Sequence, residues 1–133
     1  MNITEYGAVL SRIGTRISMV SQRNQKVDHT YRKLRNNIEA CNSAVRDLLE
    51  VTPPNILIED HKILIGIFEQ LISAYRLQQD HVNPGLEQIK DKNEFIRAKN
   101  LENLQTRKLG TALTNILTKC SKHQINHFLK TDG

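Results

Sequence analysis

Tryptophan is absent from this chain, and aromatic residues make up only 5% of it, three Tyr and three Phe. Three Pro and six Gly in 133 residues are too few for the closely spaced turns of a β-sandwich or barrel. Two cysteines, Cys41 and Cys120, cannot build a disulfide framework, so reduced thiols in a cytoplasmic setting are the expectation. The longest apolar stretch, Ile63 to Leu77, is interrupted by Gly66, Glu69, Gln70 and Arg76. It falls short of the roughly 18 apolar residues that a membrane span requires. The first residues lack a basic region followed by an apolar run, and no cleaved secretory leader is expected. Catalytic signatures are missing as well: there is no Gly-rich phosphate loop, no Gly-x-Ser-x-Gly elbow and no His-Glu-x-x-His helix. These absences predict a non-enzymatic chain that carries no cofactor.

What is present is helical periodicity. Ile3, Leu10, Ile17, Asn24, Tyr31, Ile38 and Val45 are spaced by seven, and so are Tyr6, Ile13, Val20, Val27, Leu34, Cys41 and Leu48. Thirteen of these fourteen positions are apolar, aromatic or Cys, the pattern of a helix packed along its length in a left-handed supercoil. Asn2 and Glu5 have the spacing of a capping box, and Thr52-Pro53-Pro54 excludes helix beyond that point. A first helix over about 3–50 is therefore expected. Asn24, the one polar seam position, would pair with its twin in a two-stranded coil and fix the register. Alternatively the helix breaks in the polar run Ser21-Gln22-Arg23-Asn24. Gly7 and Gly14, beside the seam, would permit close helix approach.

A second helix is expected over about 56–82, with Leu57, His61, Leu64, Phe68, Leu71, Tyr75, Gln78 and Val82 as its seam. It is flanked by Ile63, Ile65, Ile67, Ile72 and Ala74. Apolar residues on almost every side make it the central element. Asn83 is placed to cap the next helix, with Pro84 at its first position. That third helix, about 86–129, carries the row Ala98, Leu101, Gln105, Leu109, Ala112, Ile116 and Cys120, with a split near 108–111 at Gly110 as an alternative. The expected architecture is all-α: an elongated bundle or coiled coil of three long helices, four if split, forming one helical domain.

The net charge of +5 is local. Arg12, Arg16, Arg23, Lys26, Arg32, Lys33 and Arg35 stand against Asp28 alone between Arg12 and Ile38. Of these, Arg12, Arg16, Arg23, Lys26 and Lys33 fall on one side of the heptad helix, where they would meet nucleic acid or another anionic surface. Cys120, His123 and His127 have a spacing that permits zinc on a helix, although Cys120 also continues an apolar row. His61, beside Asp60, could respond to pH.

The functional expectation follows from length. A seam of about 46 residues faces a central helix of about 27, so part of it needs cover from elsewhere. The sequence thus predicts an interaction or assembly protein that self-associates or docks partner helices through Leu10, Ile13, Ile17, Val20, Asn24, Val27, Tyr31, Leu34 and Ile38. The alternatives are a nucleic-acid or anionic-surface binder and a metal-linked bundle.

Overall fold

A computed structural model describes residues 1–85 and 88–132, with side chains as far as 126. Among the described residues the chain forms four α-helices packed against one another: α1 (Ile3–Asn24), α2 (Thr30–Leu49), α3 (Ile58–Asp80) and α4 (Lys92–Asp132). A single 3-10 turn, Asn55–Leu57, precedes α3. None of the helices is long and apolar enough to cross a membrane.

Successive helices run antiparallel, as the side-chain contacts establish. Arg16 meets Asp47 while Asn24 meets Asn37, joining α1 to α2 in opposite directions. The Gln79 amide donates to the Tyr31 carbonyl, tying the end of α3 to the start of α2. Lys119 reaches Asp60 and Gln78 reaches Glu102, which orients α4 against α3.

The first expected helix is two. Its capping box is present, with the Glu5 amide donating to Asn2 Oδ1 at 2.8 Å and the Asn2 amide to Glu5 Oε1 at 3.1 Å. The helix then ends at Asn24, and the chain turns back through residues 25–29. Six consecutive polar residues, Ser21 to Lys26, offer nothing to bury, and Asn24, Asp28 and His29 are poor helix formers. Bonds from Lys26 N to Arg23 O and from Val27 N to Asn24 O tighten the last turn, and His29 is extended. Val20, Val27 and Leu34 stay seven apart across this turn, so two short amphipathic helices read as one. Asn24 does not pair with a twin. Its Nδ2 donates to Asn37 Oδ1 at 2.9 Å and to the Lys33 carbonyl at 3.3 Å, and its Oδ1 accepts from Asn36 Nδ2 at 2.9 Å.

The fold-back changes what the seam does. Ile13 and Ile38 enter the shared core, Val20 and Leu34 are buried, and Leu10 and Ile17 pack against the core. Asn24, Val27 and Tyr31 are half-buried at the turn. The apolar stripe is thus consumed inside the chain's own fold, and the rod with a seam to offer a companion is absent. Val9, outside the expected seam, is buried at 3% exposure and joins the shared core.

The central position of α3 is as the sequence indicates. Leu57, His61, Leu64, Phe68, Leu71, Gln78 and Val82 are all buried and Tyr75 is half-buried, between α2 on one side and α4 on the other. Leu48, Leu57 and Leu64 have no exposed surface, and each contributes about 1.5–3 kcal/mol relative to an exposed side chain. Ile63 differs from the other flanking residues in being mostly exposed.

The last helix is continuous through Gly110, and its row from Ala98 to Cys120 is buried or half-buried as spaced. Its start is corrected. Asn83 and Pro84 do not begin it; Asn83 N donates to the Gln88 carbonyl, Lys90 N to the His81 carbonyl, and Val82 bridges to Ile89. The helix begins at Lys92, where Asp91 Oδ1 accepts from the Glu94 amide at 3.1 Å. The Asp-x-x-Glu spacing is the signal for this cap. Leu86 and Glu87, also assigned to the helix, lie outside the described residues.

Candidate interaction surface

The turn at 25–29 divides the basic stripe. Arg12 and Arg16 stay on α1, where they border a surface groove of about 420 Å³ together with Ser11, Thr15 and Met19. Arg16 Nη1 holds Asp47 of α2 at 2.9 Å in a partly exposed pair. Arg23, Lys26 and Lys33 belong instead to the hairpin end, where Arg32 and Arg35 join them. No single helix face carries all five expected contacts.

A further feature runs along α1, invisible in the heptad pattern. Thr4, Gly7, Ser11, Gly14, Ser18 and Ser21 repeat with 3-4 spacing along α1, and all are exposed. They form a smooth strip on the helix surface, with Met19 standing 56% exposed beside it. A Cβ built on Gly7 or Gly14 meets nothing within 4 Å. Neither glycine serves a close approach inside this fold, yet each lowers helix propensity by about 1 kcal/mol. The signal was legible as spacing, but only the opposite, apolar spacing dominates a hydrophobicity pattern.

At the other end of α1 is a buried polar clasp. Tyr6, 1% exposed, donates its hydroxyl to His61 Nδ1 at 2.9 Å, and the rings meet edge to face at 5.7 Å. The Leu48 backbone supplies the second hydrogen bond to the His61 ring. Three helices are thereby tied through one imidazole. Burial lowers the His61 pKa below its ordinary 6.5, and burial, followed by the nearby Asp60 charge, pushes the Tyr6 phenol up to about 12. Both groups are neutral near pH 7, with their hydrogen-bonding atoms engaged with each other. Alongside, Lys119 Nζ lies 2.7 Å from Asp60 Oδ2, so the buried carboxylate has a cation. This cluster ties α1, α2 and α3 together, and Lys119 of α4 joins it through Asp60.

A second polar group sits at the end of α3. Gln78 Nε2 and Lys99 Nζ both donate to Glu102 Oε1, at 2.9 and 3.0 Å. Burial raises the Tyr75 phenol, and it pushes the Cys41 thiol up to about 12, so the thiol is protonated and a poor nucleophile. Cys41 and Tyr75 floor a crevice of about 250 Å³ walled by Ile17, Val20, Ser21, Asn24, Asn37 and Ala40. An apolar groove of about 390 Å³ lies between α3 and α4, with Leu77, Ala98, Leu101 and Leu104 on its walls.

Of the three residues with zinc spacing, Cys120 and His123 have described side chains. Cys120 packs against the core, and burial raises its thiol pKa, which disfavours the thiolate that zinc needs. His123 is exposed, and the side chain of His127 lies outside the described residues. Among the described residues no three His, Cys, Asp or Glu side chains are grouped to hold a metal ion. Comparison with protein-family models, with curated proteins and with solved structures finds no match to this chain.

Proposed function

We propose that the chain is a non-enzymatic interaction module that docks a partner helix on the outward face of α1. The observation that carries this reading is the strip of small residues from Thr4 to Ser21, exposed along a helix whose other face already fills the core. Small side chains let a second helix approach closely, and the two glycines would then serve a contact that the isolated fold does not use. Met19 supplies an adaptable apolar contact at the edge of the strip.

Charge selects the occupant. Arg12, Arg16 and Arg23 lie on α1 against one acid, Glu5, which is engaged in the cap. A second copy of this chain would bring the same arginines together, whereas a helix flanked by Glu or Asp would meet them with opposite charge. The partner is therefore an acidic amphipathic helix with small or apolar residues on its docking face.

A synthetic three-heptad helix, Ala at the facing positions and Glu beside them, tests the proposal by fluorescence anisotropy. Saturable binding is expected, weakened more than tenfold by Gly14→Leu and by Arg12→Glu, with the melting temperature of the free protein not lowered. Absence of saturable binding, or equal binding by Gly14→Leu, would contradict it.

A further inference from the structure

The hairpin end of the molecule collects positive charge that the rest of the fold does not neutralise. Arg23 closes α1, Lys26 lies in the turn, and Arg32, Lys33 and Arg35 occupy the first turns of α2. Each is at most two residues from Asn24, Lys33 or Asn36, which are hydrogen-bonded to one another across the hairpin. The cations are therefore gathered by a fixed contact between two helices and are not merely close in sequence. Lys33 is half-buried and the other four are exposed.

Elsewhere five cations are paired, Arg16 with Asp47, Lys62 with Glu59, Arg97 with Glu94, Lys99 with Glu102 and Lys119 with Asp60, and the others are spread singly or in twos along the chain from α1 to α4. None of the five hairpin cations has an ion-pair partner among the described residues, and Asp28 is the one acid between Arg23 and Arg35. Five like charges held together without counter-charges repel one another, a cost that a polyanion removes.

The chemistry of the surrounding surface narrows the polyanion. Among the described residues, no large hydrophobic side chain between Met19 and Leu49 is exposed. A helix that lies in a lipid interface needs an apolar face to insert, and the α1–α2 hairpin itself exposes none. Exposed Gln22 and Gln25 offer further hydrogen bonds. We propose that the α1–α2 hairpin end binds the phosphodiester backbone of nucleic acid through Arg23, Lys26, Arg32, Lys33 and Arg35. Arg12 and Arg16, midway along α1, are not part of this surface; Arg23 alone is shared with the helix-docking face, and the other four cations belong to the hairpin only.

The test is anisotropy of a labelled 20-base-pair DNA duplex with the full chain at several salt concentrations. Five neutralised phosphates give a slope of log affinity against log salt of about −4 to −5, at about 0.9 per contact. The triple variant Arg23→Glu, Lys26→Glu, Arg32→Glu is expected to bind more than tenfold more weakly, while Lys108→Glu with Lys122→Glu, remote on α4, has less than a threefold effect. The milder Arg23→Gln, Lys26→Gln, Arg32→Gln variant should make the slope shallower by about 3 with unchanged circular dichroism. No binding at 50 mM salt, equal loss in the α4 variant, or an unchanged slope would overturn the proposal. So would binding to vesicles containing one-fifth phosphatidylserine in the absence of duplex binding.

Discussion

The two ends of α1 are built on opposite principles. At its start, Tyr6 is buried, its hydroxyl is bonded to His61, and Asp60 beside it has Lys119. At its finish, Asn24 makes its bonds half-exposed, and Arg23 and Lys26 stand in solvent. The same helix is thus anchored by a largely buried, hydrogen-bonded cluster and released into an exposed, charged one. The contrast teaches where stability resides and where surface is left for other molecules. Burial of satisfied polar groups contributes to one structure, whereas exposed unpaired charge contributes little to stability.

The largest separation of the two ends should come from truncating the core. Ile116→Ala, near the clasp and 1% exposed, is expected to cost about 2–5 kcal/mol in denaturant unfolding. Val27→Ala at the half-exposed turn should cost less than about 1 kcal/mol. Equal losses would remove the distinction between the ends.

A smaller effect is expected from Tyr6→Phe, which leaves His61 Nδ1 buried without its donor and should cost about 1–3 kcal/mol. The same ring gives the clasp its pH dependence. Because the folded state holds the His61 pKa below 6.5, the unfolded chain takes up the proton first. Its contribution is complete above pH 6.5 and is lost as the pH falls through the lower folded value. Unfolding midpoints measured between pH 7.5 and 4.5 should therefore fall less steeply in His61→Gln; an identical pH profile would place the acid sensitivity elsewhere.

At the hairpin end, Asn24→Ala removes the amide that joins Asn36, Asn37 and Lys33, and a loss of about 1 kcal/mol is expected. The smallest change has the opposite sign. Gly14→Ala fills open space on an exposed helix and should stabilise the free protein by about 0.5–1 kcal/mol in the same assay. Destabilisation would mean that the glycine has a use inside the fold.

The sequence was most informative where one helix packs on two neighbours. The α3 seam from Leu57 to Val82 and the α4 row from Ala98 to Cys120 were legible because burial alone dictates those side chains. Continuity was not legible. Hydrophobic spacing reports which face of a helix is covered, and the turn at 25–29 keeps that spacing in phase while reversing the chain. The polar run ending at Lys26 held the decisive information, and Asn24 is polar there because it bonds across a hairpin, not across a dimer. The surface was half legible. Charge placed the cations between Arg12 and Arg35 but not their division between two surfaces, which depends on where the chain folds back. The strip from Thr4 to Ser21 escaped because small polar residues carry no hydrophobic signal.

The fold-back of the first fifty residues is what both surfaces depend on, and one distance tests it. Spin labels at Thr15→Cys and Arg46→Cys, in a chain carrying Cys41→Ala and Cys120→Ser, flank the contact of Arg16 with Asp47. Pulsed dipolar spectroscopy should give one distance below about 25 Å, the width of two packed helices. A distance near 46 Å, about 1.5 Å for each of the 31 intervening steps, would mean an unbroken rod and contradict the account.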